Sequence, residues 1–76
     1  MVQAYILLTI AIGKMNSVIG CLNSLDFIEM VNSVTGPCDI IIKIKAKDYH
    51  ELKESLYQLQ SIDGIMESST SLVVEL

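Results

Sequence analysis

Two short polar segments contain the side chains of this sequence that could bind a small molecule. The first is residues 34–39, where Thr35-Gly36-Pro37 signals a turn and Asp39 supplies a carboxylate. The second is the run Ser68-Ser69-Thr70-Ser71, which interrupts an otherwise apolar stretch. Hydroxyls and turn N–H groups can bind a carboxylate, and Asp39 can pair with an ammonium group. Together they suit an amino-acid zwitterion, although a hairpin turn beside a polar edge strand explains them without any ligand.

Residues that usually perform catalysis or bind metals occur here without the partners that such chemistry needs. The single histidine, His50, falls on the first turn of a polar helix face, where we expect it to be exposed. The serines and threonines near the C-terminus have no partnered His or Lys to activate them as nucleophiles. There is no CxxC or HxxxH spacing, so we expect neither a metal site nor a cofactor. The sequence favours a binding module over an enzyme.

The two polar segments must be positioned by strands, which the alternation of apolar and polar residues predicts. The segments with strand-like patterns are residues 2–11, 27–34, 38–47 and 65–76. In the first, the even positions are all apolar, whereas Tyr5 and Leu7 share the opposite face with polar residues. In the third, Ile41 lies opposite the apolar set in the same way. The second mixes both parities, which indicates a bulge or a strand with two apolar faces.

Apolar residues recur at helical spacing in two other segments. In the first predicted helix they are Met15, Val18, Ile19, Leu22 and Leu25, and in the second Tyr49, Leu52, Leu56 and Leu59. Gly20 inside the first helix leads us to expect close packing there, because glycine disfavours a helix interior. Asp48 and Glu51 have the spacing of a capping box, so the second helix should begin after Asp48.

The resulting β-α-β-β-α-β order predicts an α+β, ferredoxin-like sandwich. Right-handed crossovers place both helices on one face of a four-stranded antiparallel sheet. The opposite face should carry Tyr5, Leu7 and Ile41 and have no helix to cover it. A chain of 76 residues that is 51% hydrophobic has more apolar residues than so small a domain needs for its core. We therefore expect this face to form a homodimer interface.

The charge of the chain argues against a nucleic-acid partner. The net charge is −4, whereas binding DNA or RNA depends on Lys and Arg that neutralise phosphates. Lys43, Lys45 and Lys47 alternate along one strand, and we expect them to form a solvated edge of the sheet.

Cysteine content and hydropathy bear on the cellular compartment. Cys21 and Cys38 lie in apolar stretches, and we expect them to be buried free thiols in a reducing cytosol. The apolar run 2–12 is shorter than the roughly 20 residues that span a bilayer, and no basic residue precedes it. We predict a cytoplasmic protein that does not associate with membranes.

Several motifs together resemble one known family. They are Ala4-Tyr5-Ile6-Leu7, the Gly13-Lys14 turn, Val34-Thr35-Gly36-x-x-Asp39 with the strand after it, Ile62-x-Gly64-Ile65, and the last strand with Thr70. The Thr-Gly-x-x-Asp hairpin followed by an apolar strand is the most specific of these. Over essentially its whole length the chain resembles the effector-binding (RAM) domain of the Lrp/AsnC family of transcriptional regulators.

The resemblance implies one RAM-like domain over residues 1–76, without the DNA-binding helix-turn-helix domain of such regulators. It also implies dimers that pair through their sheets in an α/β barrel-like assembly, and larger rings of dimers. Amino-acid effectors would bind between dimers. By position in the family motif, the contacts would be Thr35, Gly36 and Asp39 of one subunit with Ser68 and Thr70 of a neighbour.

The expected function is an amino-acid-responsive regulatory module that does not bind DNA itself. It would change its own assembly state or join full-length Lrp/AsnC regulators in mixed oligomers. One alternative is a purely structural interaction subunit with no ligand. Another is an ACT-like regulatory domain, which has the same strand order and would hold its ligand near Gly13. A small enzyme ranks last, because no activated acid, base or nucleophile is visible.

Overall fold

The computed structural model describes residues 1–74, and its elements follow the predicted order. They are β1 (Val2–Ile10), α1 (Met15–Asn23), β2 (Ile28–Ser33), β3 (Ile40–Ala46), α2 (Tyr49–Gln60) and β4 (Ile65–Leu72). Glu75 and Leu76 lie outside the described residues, so the last predicted strand can be followed only to Val74. Across residues 1–74, neither helix is long and apolar enough to cross a membrane.

The four strands form one antiparallel sheet in the order β2-β3-β1-β4. β1 pairs with β3 on one edge, where Leu7 lies opposite Ile41 and Tyr5 opposite Lys43. On its other edge β1 pairs with β4, where Leu7 lies opposite Ser69. With the two crossover helices, this strand order is the predicted ferredoxin-like fold, and the prediction is confirmed.

The hydrophobic core fills the space between the two helices and one face of the sheet. Successive strand side chains point to opposite faces, so alternate residues of the central strands face the helices. The buried strand residues are Ala4, Ile6, Leu8 and Ile10 of β1 and Ile40, Ile42, Ile44 and Ala46 of β3. Val18 and Leu22 of α1 and Leu52 and Leu59 of α2 pack against them. Burial of each large aliphatic side chain contributes roughly 1.5–3 kcal/mol.

The mixed parity of the second strand arises from a bulge, which was one of the two explanations that the sequence left open. Ile28 lies opposite Ile44, but Met30 lies opposite the adjacent residue, Lys43. Glu29 is therefore an extra residue on β2, and it shifts the following residues to the other face. This shift lets Val31 pack against the core on the same face as Ile28.

The second helix begins where its capping signal predicts. The Oδ1 atom of Asp48 accepts a hydrogen bond from the Glu51 N–H at 2.9 Å, an interaction that typically stabilises a helix by about 1 kcal/mol. In return, the Glu51 carboxylate accepts a hydrogen bond from the Lys47 N–H at 3.3 Å. In a regular capping box the return bond comes from the N-cap residue, so the exchange here is displaced by one residue.

Four side-chain environments expected from the sequence are wrong. Tyr49 is 67% exposed and lines a shallow surface depression with Val2 and Val73. Gly20 faces solvent, and an added Cβ would meet no atom within 4 Å. Cys21 is also exposed and Cys38 is half-buried, although both are free as expected. Helical spacing correctly identified the core face of α1. It did not show that Gly20 and Cys21, on the other side of this helix, face solvent.

Ser55 takes the buried place on α2 that had been expected for Tyr49. It is only 4% exposed and lies between Leu52 and Leu59 on the face that meets the sheet. Its hydroxyl donates a hydrogen bond to the Glu51 carbonyl oxygen at 3.0 Å, which satisfies the polar group within the helix. A small polar residue therefore sits where the helical pattern would normally place a large apolar one.

The turn between α2 and β4 packs directly against the start of α1. Gly64 has a φ of +107°, and a Cβ added there would lie 2.8 Å from the Lys14 Cβ and 2.9 Å from the Val18 Cγ2. The Gly64 carbonyl accepts a hydrogen bond from the Ala11 N–H at 2.8 Å. An exposed ion pair of 3.0 Å joins Lys14 to Asp63 beside it. Both the backbone conformation and the close approach require glycine.

Two glycine substitutions should have opposite effects on stability. Gly64→Ala is expected to lower the free energy of unfolding by about 2 kcal/mol or more, because backbone strain of about 1–3 kcal/mol adds to steric overlap. Gly20→Ala is the matched control and should raise it by up to about 1 kcal/mol. Urea unfolding followed by circular dichroism at one protein concentration measures both. Equal losses would contradict the packing described here.

Candidate functional site

The loop between β2 and β3 is held to the sheet at both of its ends. The Val34 N–H donates to the Asp39 carbonyl oxygen at 3.0 Å, which closes the loop on itself. The Asp39 N–H donates to the Leu8 carbonyl oxygen at 2.9 Å, which ties the loop to β1. Thr35 and Gly36 lie between these bonds and are exposed. The strands thus present the tip of the loop to solvent from a fixed base.

The Asp39 carboxylate has a hydrogen-bond partner within the chain. Its Oδ2 atom accepts a hydrogen bond from the Ile10 N–H at 2.8 Å. Pairing of β1 with β3 ends at Leu8 and Ile40, so the Asp39 side chain supplies the acceptor that β3 no longer offers. Among residues 1–74, the Oδ1 atom receives no hydrogen bond. One carboxylate oxygen therefore stabilises the loop, and the other is free to accept a bond from a ligand.

Gly36 contributes through its backbone conformation. Its φ is +120°, a value that residues with a side chain rarely adopt. A Cβ added at this position would meet no atom within 4 Å, so space does not explain the glycine.

The two predicted hydroxyl residues of β4 lie on the helix side of the sheet. Ser68 is opposite Leu8 and Thr70 is opposite Ile6, so both share the core face with these residues. They line a cavity of about 40 Å³ that is also lined by Leu56 and other residues of α2 and the core. Both are exposed, because β4 is an edge strand that α2 covers only in part.

A single chain does not bring all five predicted ligand residues together. Ser68 pairs with Leu8, which in turn pairs with Ile40, the residue after Asp39. Two strand spacings, or about 10 Å, therefore separate Ser68 from the base of the loop. Thr35, Gly36 and Asp39 form one group, and Ser68 and Thr70 form another.

A shallow cavity that the sequence did not predict joins the loop to β4 on the face without helices. It measures about 170 Å³, and its lining residues are Leu7, Thr9, Pro37, Cys38, Glu67, Ser68 and Ser69. Ser69 and Glu67 reach this face because they lie opposite Leu7 and Thr9 of β1. Alternation along each strand does not reveal this set, because its members lie on different strands. Finding them requires the strand register, which the sequence does not specify.

The helix-free face of the sheet, which we call the open face, carries all three residues expected at a dimer interface. Leu7 and Ile41 are half-buried neighbours, and Tyr5 is 38% exposed. The Lys43 Nζ atom lies 5.6 Å from the centroid of the Tyr5 ring, where a cation–π interaction is favourable. The open face therefore has an apolar centre with basic residues beside it.

Among residues 1–74, the remaining titratable groups do not form a reactive cluster. His50 is exposed on α2, and its Nε2 atom lies 3.1 Å from the Glu54 carboxylate, one helical turn away. In the part of the chain that the structure describes, no three His, Cys, Asp or Glu side chains are placed to hold a metal ion.

The fold is a small α+β domain with a Thr-Gly loop that hydrogen bonds hold at its base. The polar groups described above lie in this loop and on the edge strand β4. Residues 3–76 match the family model described as the Lrp/AsnC ligand binding domain, and the chain belongs to this family. The match confirms the resemblance inferred from the Thr-Gly-x-x-Asp motif. It also decides against the ACT-like family, which has the same strand order. The family is a regulatory one, not an enzymatic one.

Known relatives include transcriptional regulators. An HTH-type transcriptional regulator from Pyrococcus furiosus is 31% identical over 74 residues, which cover 97% of this chain and 49% of the relative. Escherichia coli AsnC superposes with a TM-score of 0.92 at 26% identity, over 99% of this chain and 52% of AsnC. The chain thus spans about half the length of these regulators.

Other solved structures share the fold. A protein from Thermus thermophilus has a TM-score of 0.92 at 26% identity, over 100% of this chain and 96% of the other. A transcriptional regulator from Neisseria meningitidis, solved in complex with L-methionine, has a TM-score of 0.89 at 19% identity. That superposition covers 97% of this chain and 50% of the regulator.

The structural role of Asp39 can be separated from its charge. Asp39→Ala removes the acceptor of the Ile10 N–H and should lower the free energy of unfolding by about 1–3 kcal/mol. Asp39→Asn keeps an amide oxygen and should cost less than about 1 kcal/mol. Urea unfolding gives both values, and hydrogen exchange should show a less protected Ile10 amide only in the alanine variant. Unchanged protection at Ile10 in that variant would refute the assigned bond.

Proposed function

We propose that this chain is an amino-acid-binding regulatory module that self-associates and does not bind DNA itself. It acts in the cytoplasm, alone or in mixed oligomers with full-length Lrp/AsnC regulators, and it has no enzymatic activity. The observation that carries the proposal is the Asp39 carboxylate, which has one oxygen bound to the Ile10 N–H and the other without a hydrogen bond among residues 1–74, at the base of the loop that contains Thr35 and Gly36. Residues 1–76 act as one effector-binding domain.

The chemistry of the loop suits the two ends of an amino acid. The free Asp39 oxygen accepts hydrogen bonds from an ammonium group, and a charge-assisted bond of this kind is stronger than a neutral one. The Thr35 hydroxyl and backbone N–H groups of the exposed loop tip are available to a carboxylate. The Neisseria relative solved with L-methionine supports this class of ligand.

The effector site would be completed by a second subunit. Ser68 and Thr70 lie on the helix side of an edge strand, about 10 Å from the loop of their own chain. Because they cannot close around a ligand held by their own Asp39, we assign them to the site of a neighbour. Ligand binding would then stabilise the contact between subunits, which makes assembly responsive to the effector.

The open face supports the dimer. Tyr5, Leu7 and Ile41 form an apolar centre that no element among residues 1–74 covers. Two such sheets can pack face to face at about 10 Å and bury these side chains between them. Dimers of this kind would form the α/β barrel-like unit, and further contacts between dimers would form rings.

A structural subunit without a ligand is the second candidate. Its specific support is the hydrogen bond from the Ile10 N–H to Asp39, because this bond explains an aspartate at the loop without any effector. The two candidates differ in what Asp39→Asn does, since that change keeps the loop and removes the charge.

Titration calorimetry against each of the twenty amino acids tests the effector. At least one should bind the assembled protein, and Asp39→Asn should weaken it about tenfold or more through loss of the charged acceptor. Thr35→Val, which is similar in shape, should also weaken binding, whereas Ser17→Ala on the exposed side of α1 should not. If no amino acid binds the assembled protein, the effector proposal fails and the structural subunit remains.

Light scattering tests the open face. Leu7→Glu should convert the protein largely to monomers, because it places a charge at the centre of the apolar interface. Tyr57→Glu is the control, since Tyr57 is 59% exposed on α2 and far from the open face. An unchanged molar mass for Leu7→Glu with native circular dichroism would exclude this interface.

A further inference from the structure

The outer edge of β4 is a strand edge with which no strand of residues 1–74 pairs. β4 is the last strand of the sheet, and seven of its eight residues are exposed. On its inner side it pairs with β1 along its whole length. A strand edge presents a row of free N–H and C=O groups with which another strand can pair, and natural proteins usually protect such edges.

The opposite edge of the sheet is better protected than β4. β2 has six residues against eight in β4, the bulge at Glu29 interrupts its regular pairing, and α1 packs against it. On β4 the register shifts only at the start of the strand, before Glu67. Residues 67–72 contain no proline and no lysine, and their one charged residue is Glu67. A bulge, a proline or a lysine is what usually prevents pairing between edges, so this part of β4 is open to a further strand.

Alternate residues of β4 turn their backbone groups outward. The Val73 N–H donates to the Gln3 carbonyl oxygen at 2.9 Å, so the backbone groups of Val73 face β1. This orientation alternates along an antiparallel strand, and the register with β1 has no shift in this part of β4. Ser68, Thr70 and Leu72 therefore turn their N–H and C=O groups away from β1.

The side-chain types of β4 are symmetric about Ser69. Two antiparallel copies with Ser69 opposite Ser69 would align hydroxyls with hydroxyls and apolar residues with apolar residues. The pairs would be Ser68 with Thr70, Glu67 with Ser71, Met66 with Leu72, and Ile65 with Val73. This register also places outward-facing residues opposite each other, as strand hydrogen bonding requires. A register shifted by two residues would instead place Glu67 opposite Val73 and Ser68 opposite Leu72.

We propose that β4 pairs edge to edge with β4 of a second copy of this chain, in the register centred on Ser69. About four backbone hydrogen bonds join Ser68 and Thr70 of each copy to the other. The contact is isologous, because a two-fold axis relates the two copies. The two sheets continue one another with their helices on the same side, so the open face stays free. The proposal does not rest on the effector, whose proposed contacts on β4 are hydroxyls and not backbone groups.

The size of the contact determines when it forms. About four hydrogen bonds and a few cross-strand side-chain pairs make a weaker contact than a standard interface of about 1,600 Å². Single chains should therefore pair only at high concentration, and a Leu7→Glu monomer would stay largely unpaired under the conditions of light scattering. Dimers formed through the open face would present two such edges and would associate more readily.

Hydrogen exchange of the wild-type chain at increasing concentration tests the pairing. From micromolar to millimolar chain, the amides of Ser68 and Thr70 should come to exchange about threefold more slowly or better, because they become bonded to the other copy. Ser69 and Ser71 are internal controls, since their N–H groups face β1 at every concentration. Equal slowing at all four amides would contradict the proposal, because stabilisation of the whole fold would produce it. Rates at Ser68 and Thr70 that do not change with concentration would overturn it and leave the edge to a different partner.

Charge changes at Ser71 test the register. Ser71→Glu places two carboxylates opposite each other at both ends of the pair, so the concentration-dependent protection of Ser68 and Thr70 should be lost. Ser71→Lys places an ammonium group opposite Glu67 and should move the midpoint of protection to a concentration about threefold lower. Ser17→Glu and Ser17→Lys on α1 make the same changes in net charge and should leave the midpoint unchanged. Equal midpoints for the two Ser71 variants would refute the pairing in this register.

Discussion

The pairing of β1 with β3 is the interaction on which the rest of the structure depends. These central strands bury alternate residues under both helices, and their other residues form the open face. Where the ladder ends, the Ile10 N–H bonds to the Asp39 side chain and the Asp39 N–H bonds to Leu8. The same ladder therefore supports the core, the open face and the base of the loop. A shift of one residue in its register would exchange the two faces and displace the loop.

In the proposed function, Asp39 serves both structure and binding. A carboxylate has two oxygens and can accept several hydrogen bonds, so using one oxygen for the Ile10 N–H leaves the other available. In the proposed site, holding the side chain in this way would fix its orientation before a ligand arrives and so lower the entropic cost of binding. A ligand bound by the free oxygen would use a side chain that already stabilises the loop, so this side chain would not have to be ordered on binding.

The two sides of the sheet offer different chemistry because they are covered differently. On the helix side, α1 and α2 cover the central strands, and Ala46 and Ser55 are 2% and 4% exposed. On the open face no helix among residues 1–74 is present, so Tyr5 and Leu7 remain accessible beside a shallow cavity. An apolar sheet face of this kind suits packing against a second sheet, as in the proposed dimer.

The sequence by itself determined the order of elements, the start of α2 at Asp48 and the Thr-Gly-x-x-Asp loop, because periodicity, capping and turn signals act over a few residues. Only the tertiary structure decided that Ser55 is buried while Tyr49 is exposed, since that depends on which part of α2 packs against the sheet. It also decided that Ser68 and Thr70 lie two strands from Asp39. Strand order and register join residues distant in the chain, and local patterns hold no information about such distances.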